Sequence, residues 1–185
     1  MADNTRVNQT ASVSTSPQGP AHTAAVEAIA QAGGWLPFDA FMQVALYHPG
    51  VGYYAAPRPL LGLGPQDGSD FVTAPELSPL FARTLARAVV QWMAQSGVDA
   101  IWEFGAGRGV LAAELLAELD RMGCGIASGR VKRYVIMEVS GALREVQRQR
   151  LAAFADAVQW VDAWPDALEA VVLGNEVLDA MPVKL

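Results

Sequence analysis

Three glycines on alternate positions, Gly105, Gly107 and Gly109, follow the apolar pair Ile101-Trp102 in the stretch IWEFGAGRGVL and precede the amphipathic segment Val110–Leu119. That order reads as strand, tight turn, helix. Glycine in the turn lets a ligand approach the main chain closely. The helix N-terminus adds free N–H groups that favour electron-rich or anionic partners. The chemistry this predicts is recognition of a nucleotide-like ligand. Acids stand around it: Glu103 lies two residues before the first glycine, and Glu138 and Asp162 close later apolar runs.

A dinucleotide site would need G-x-G-x-x-G with an acid about 20 residues on. Here the third glycine comes one place early, Glu103 precedes the turn, and Glu138 lies too far along. The nicotinamide reading loses on spacing. The pattern E-x-G-x-G-x-G fits S-adenosylmethionine instead. Its adenosine would lie over the carboxyl ends of strands one and two, where the strand order reverses. Glu138 would accept from the ribose hydroxyls, and Glu103 would face the cationic α-amino group. Asp162 either accepts from the adenine amine or caps the helix that follows it.

The elements that must position these acids follow from periodicity. From residue 100 the chain alternates apolar strands and helices: strands over 101–104, 134–139, 158–161 and 171–174, and helices over 110–122, 142–155 and 165–170. This predicts an α/β, doubly wound, mostly parallel sheet, with strand four beside strand one. Upstream, helices are expected over 24–32, closed by Gly33-Gly34, and over 38–47. The Gly- and Pro-rich stretch 47–71 reads as loop, with one short hairpin around Gly52-Tyr53-Tyr54. A further helix runs from Thr73 to Gly97, with a restart at Ser78-Pro79. The domain reading is a disordered tail over 1–21, a helical arm and lid over 22–97, and the N-terminal part of a cofactor domain over 98–185. Ending just after strand four leaves an apolar edge. Either the chain is a fragment, the favoured reading, or another chain covers the edge, as in a homodimer.

Bulk composition narrows the partners. Of 185 residues, 52% are hydrophobic and 17% charged, and no apolar run reaches the length of a membrane span. The net charge of −6 argues against nucleic acid. The basic groups Arg130/Lys132/Arg133 and Arg144/Arg148/Arg150 read as a solvated loop and a solvated helix face. One cysteine and two histidines exclude an internal disulfide and a Cys-based zinc site, and no metal is expected. The first twenty residues lack a secretory apolar core, so a reducing, cytoplasmic compartment is the expectation.

Over roughly residues 36–185 the chain resembles the MidA-like methyltransferases, bacterial relatives of a mitochondrial respiratory complex I assembly factor. FMQVALYHPGVGYY, DFVTAPELSPLF, WEFGAGRG, YVIMEVSGALREVQRQRL and GNEVLDAMPV carry the resemblance. Family members usually have G-P-G-R-G and T-S-P-E; here Ala106 and Ala74 replace the proline and the serine. The resemblance implies a class I (Rossmann-like) methyltransferase using S-adenosylmethionine on an arginine of a protein, such as a respiratory complex I subunit. A cofactor-binding assembly factor without turnover is the alternative.

On that reading Asn175, Glu176 and Asp179 sit where a substrate nitrogen would meet the methyl group. A carboxylate such as Glu176 could hold a guanidinium by paired hydrogen bonds and orient one nitrogen. Glu176 could equally be a helix N-terminal acid. Tyr53, Tyr54, Phe71, Thr73, Pro75 and Glu76 would fold over the cofactor as a lid and line the substrate channel, or merely cover the sheet.

Overall fold

The computed structural model describes residues 19–55 and 72–185. Most of the expected tail, the stretch 56–70 and Phe71 lie outside the described residues. The elements run α1 (Pro20–Gln31), α2 (Phe38–Tyr47), α3 (Ala74–Leu77), α4 (Leu80–Ser96), β1 (Ala100–Phe104), α5 (Val110–Arg121), β2 (Arg133–Met137), α6 (Gly141–Arg150), β3 (Val158–Val161) and β4 (Val171–Gly174). Short 3-10 turns occupy 152–154 and 178–180.

All four strands are parallel, in the order β3-β2-β1-β4. The strand order therefore reverses between β1 and β4, rather than at strands one and two. β1 is buried along its whole length, as a central parallel strand must be. One sheet face carries Ile101, Tyr134, Ile136, Val171 and Leu173. It packs on Ala86, Val89 and Met93 of α4 and Leu111, Leu115 and Leu119 of α5. Each such Val, Leu or Ile side chain contributes roughly 1.5–3 kcal/mol by leaving water. The other face, with Trp102, Phe104 and Val135, is covered by Leu168, Ala170 and Val177 from irregular segments.

Several local expectations are corrected. α1 begins at Pro20, four residues before the expected start, because proline suits the first helical position. The expected helix over 165–170 does not form. Leu168 and Ala170 are drawn onto the sheet's second face in irregular chain, and that burial outweighs a short helix. The hairpin around Gly52 is instead a set of turns folded back on α2. Gly52 N donates to His48 O at 2.8 Å, Tyr53 N to Ala45 O at 2.9 Å and Tyr54 N to Leu46 O at 2.8 Å. A Cβ on Gly52 would lie 2.5 Å from His48 N, so only glycine permits this approach. The restart at Ser78-Pro79 forms as expected and separates α3 from α4.

Candidate functional site

A cleft of about 1410 Å³ opens across the carboxyl ends of β1, β2 and β4. Its floor is the turn after β1. Gly105, Gly107 and Gly109 have φ of 62°, 54° and 77°, a region that costs other residues energy. At Gly105 a Cβ would also stand 3.3 Å from Val177 Cγ1 of the segment after β4. Gly105 and Gly107 line the cleft. Gly109 lies behind them as the N-cap of α5.

Two carboxyl groups border this floor. Glu103, near the end of β1, is buried and accepts a 2.7 Å hydrogen bond from the Tyr134 hydroxyl. The register pairs Ile101 with Tyr134 and Glu103 with Ile136, so Tyr134 reaches diagonally along one sheet face. Burial pushes the Glu103 carboxyl up to about 7, against the lowering effect of the tyrosine. Glu138 follows β2 directly and is also buried. Its Oε1 accepts from Ser140 N at 2.8 Å, and its Oε2 from Gln147 Nε2 at 3.3 Å. Burial raises this carboxyl too, and those donors oppose the rise.

Asp162 stands apart. Its side chain is 78% exposed, and its Oδ2 lies 3.9 Å from Arg144 Nη2. It is not among the residues lining the cleft, and no helix follows for it to cap. Arg144 itself is not the solvated residue expected: its Nε donates to Glu138 O at 2.7 Å, and its side chain is mostly buried.

The segment after β4 forms the opposite wall with Asn175, Glu176 and Asp179. Glu176 has φ 54°, the one positive value at a non-glycine among the described residues. Such a backbone is uncommon for any residue but glycine. Asn175 Nδ2 donates to Glu176 Oε1 at 3.4 Å.

The N-terminal arm closes the third side. Tyr53, Tyr54, Thr73, Pro75 and Glu76 all line the cleft. Tyr54 stacks on Tyr47 at 5.7 Å and meets Tyr53 edge-on at 5.0 Å. Burial, then the Asp179 charge, raises the Tyr54 hydroxyl above its ordinary range. Glu76 Oε2 lies 3.7 Å from Arg108 Nη1, tying α3 to the glycine turn.

Sequence reasoning missed three residues here. Trp164 is 64% exposed, stacks on Phe104 at 4.7 Å and lines the cleft; one aromatic in an irregular segment carries no signal of that. Tyr47 looked like an ordinary helix residue. Gln147 did leave a trace, a polar residue at spacings of four between Leu143 of α6 and Leu151 just after it.

A parallel sheet with a glycine turn at its point of reversal, and carboxyl groups at strand ends, defines an α/β protein of the Rossmann-like class. Within that class, the chain belongs to the family of S-adenosyl-L-methionine-dependent methyltransferases whose sequence profile matches residues 84–185. This upholds the MidA-like resemblance, and S-adenosylmethionine is the family's cofactor. Among curated proteins, the chain is 32% identical over 115 residues to the mitochondrial protein arginine methyltransferase NDUFAF7 of Mus musculus. That match covers 60% of this chain and 25% of the relative. The Homo sapiens protein of the same name is 32% identical over 110 residues, covering 58% of this chain and 24% of the relative. Among solved structures, a Burkholderia thailandensis protein bound to S-adenosyl-homocysteine superposes with a TM-score of 0.78 at 48% identity. It matches 89% of this chain and 44% of the solved one. A native crystal structure from the same organism gives 0.71 at 46% identity, over 90% of this chain and 43% of that one. The chain thus spans about a quarter of the curated relatives and under half of the solved ones.

Proposed function

We propose that this chain forms the cofactor half of a protein arginine methyltransferase, with an arginine of a respiratory complex I subunit as the model substrate. The observation that carries the reading is one cleft. It joins the glycine turn and two buried carboxyl groups to an acidic wall centred on Glu176, whose backbone is held at positive φ.

The residues present suit the cofactor. Glu138, restrained by Ser140 and Gln147, would accept from the two ribose hydroxyls. Glu103 would meet the α-ammonium group, and the Gly105–Gly107 turn leaves room for the amino-acid chain beside it. Trp164 offers an aromatic face for the adenine ring. Asp162, turned toward Arg144, is the weakest member of the set. When bound, S-adenosylmethionine supplies an electrophilic methyl group.

The acidic wall supplies the rest. A guanidinium is permanently charged and has no free lone pair at neutral pH. Glu176 and Asp179 would hold it by charge-assisted hydrogen bonds, and Asn175 would orient the Glu176 carboxylate. Fixing one nitrogen in line with the methyl group accounts for most of the rate such a site can supply. As the N–C bond forms and the S–C bond breaks, that nitrogen must lose a proton, which Glu176 or Asp179 would accept while their charge offsets the positive charge developing on the guanidinium. Tyr53, Tyr54, Thr73, Pro75 and Glu76 would keep water out of the cleft. A reducing compartment such as the cytoplasm belongs to the same reading and rests on the lone Cys124.

The test is mass spectrometry of an arginine-containing protein partner incubated with the chain and S-adenosylmethionine. The expected outcome is added mass on arginine, lost in Glu176→Gln while S-adenosylhomocysteine still binds. A partner captured without added mass would replace this reading with that of a cofactor-retaining assembly factor.

A further inference from the structure

Gln147, on α6, is fully buried, with no exposed surface, and its amide meets the turn after β1, the residue after β2 and a side chain of β3. Its Nε2 donates to Gly107 O at 2.8 Å and to Glu138 Oε2 at 3.3 Å. Its Oε1 accepts from Trp160 Nε1, in β3, at 2.8 Å. An indole N–H can only donate. Trp160 therefore dictates which end of the amide is oxygen and turns both N–H groups toward the two acceptors. Trp160 is itself held from another side by the Arg148 guanidinium, 5.3 Å from its ring centroid. The backbone fits the arrangement, since a Cβ on Gly109 would stand 3.3 Å from Gln147 Cγ.

We propose that Gln147 is a positioning residue for cofactor recognition, locking the Glu138 carboxylate and the Gly107 carbonyl into one frame so that ribose hydroxyls meet a pre-set acceptor. This rests on the adenosyl-cofactor reading given above. Gln147 does not line the cleft, so it acts through Glu138. With Ser140 N holding Oε1 and Gln147 holding Oε2, the carboxylate cannot turn away from its strand end. Its remaining lone pairs are left for a diol. A structural amide would support the fold alone; a positioning amide must also set how strongly the site distinguishes a full ribose from one lacking a hydroxyl.

The experiment is calorimetric titration of the 185-residue chain with S-adenosylhomocysteine and with its 2′-deoxyribose analogue. The variants are Gln147→Met, Glu138→Gln and the pair combined. The wild-type chain is expected to favour the full ribose by about tenfold, the size of one good hydrogen bond to a charged group. Gln147→Met should weaken S-adenosylhomocysteine by about tenfold and shrink that preference to under threefold. In the Glu138→Gln background it should add less than twofold, because the two residues act as a unit. An unchanged ribose preference in Gln147→Met, or losses that multiply in the double variant, would overturn the proposal. Where Gln147→Met yields no folded chain, Trp160→Phe carries the same test. It leaves the amide in place but removes the donor that orients it, and a full wild-type preference there would also refute the idea. Failure of the wild-type chain to bind S-adenosylhomocysteine would instead refute the cofactor reading, a result distinct from any of these.

Discussion

The Tyr47 hydroxyl donates a 2.6 Å hydrogen bond to the carbonyl oxygen of Ala180, 133 residues further along the chain. This contact joins α2 of the N-terminal arm to the segment after β4 and closes a wall of the cleft. Burial, then the charges of Tyr54, Glu138 and Asp179, raises the Tyr47 hydroxyl and keeps it a neutral donor. Removing the hydroxyl in Tyr47→Phe keeps the ring stack on Tyr54 but leaves the Ala180 carbonyl unpaired. The expected cost is about 1 kcal/mol in denaturant unfolding. Hydrogen exchange should rise in 47–55 and 178–182 together, because one bond ties both; a rise in only one segment would contradict the coupling.

Glu103 makes stability depend on pH with a definite sign. Its carboxyl titrates at about 7 in the folded chain against an ordinary 4.5. Between those values the folded state holds a proton that the unfolded state has lost. The stability Glu103 contributes is complete below about pH 4.5 and disappears as pH rises through 7. The difference is on the order of 3 kcal/mol. Glu103→Gln should abolish this part of the slope and melt above the wild type at pH 8. Parallel melting curves from pH 5 to 8 for the two proteins would refute this.

The same group should report on the ligand. An α-ammonium arriving beside Glu103 favours its carboxylate form, so binding of S-adenosylhomocysteine at pH 6.5 should release a fraction of a proton. Calorimetry in two buffers of different ionisation enthalpy measures that release directly. It should vanish in Glu103→Gln; proton uptake, or a release that survives the substitution, would show that Glu103 does not face the amine.

Glu176 separates strain from function. At φ 54° a side chain costs roughly 1 kcal/mol relative to the right-handed region. Glu176→Gly relieves that strain and adds a similar amount of entropy to the unfolded chain. Stability should therefore stay within about 0.5 kcal/mol of wild type while methyl transfer is lost. A large loss of stability would assign the residue to the fold instead.

Much of the site was legible in the residues. Glu103 and Glu138 could be placed because each lies within one residue of the end of an apolar run long enough for one buried parallel strand. Alternate glycines after the first run have few uses other than a tight, positive-φ turn. The order of strand four beside strand one followed from the alternation of elements. Local periodicity carries this kind of information, since the core face of each strand and helix is written into its own sequence.

Other features depended on contacts between distant segments. The stretch 165–170 has helix-forming residues, yet Leu168 and Ala170 lie in irregular chain because the Trp102 and Phe104 face of the sheet needed cover. Asp162, placed by its strand, turned to Arg144, which no spacing rule brings to it. Gln147 reached Gly107, forty residues upstream, because α6 packs across the turn. The sequence by itself determined where strands and helices alternate and where the backbone must bend. The tertiary structure decided which polar side chains those ends would meet, because partners so far apart along the chain are chosen by packing and not by spacing.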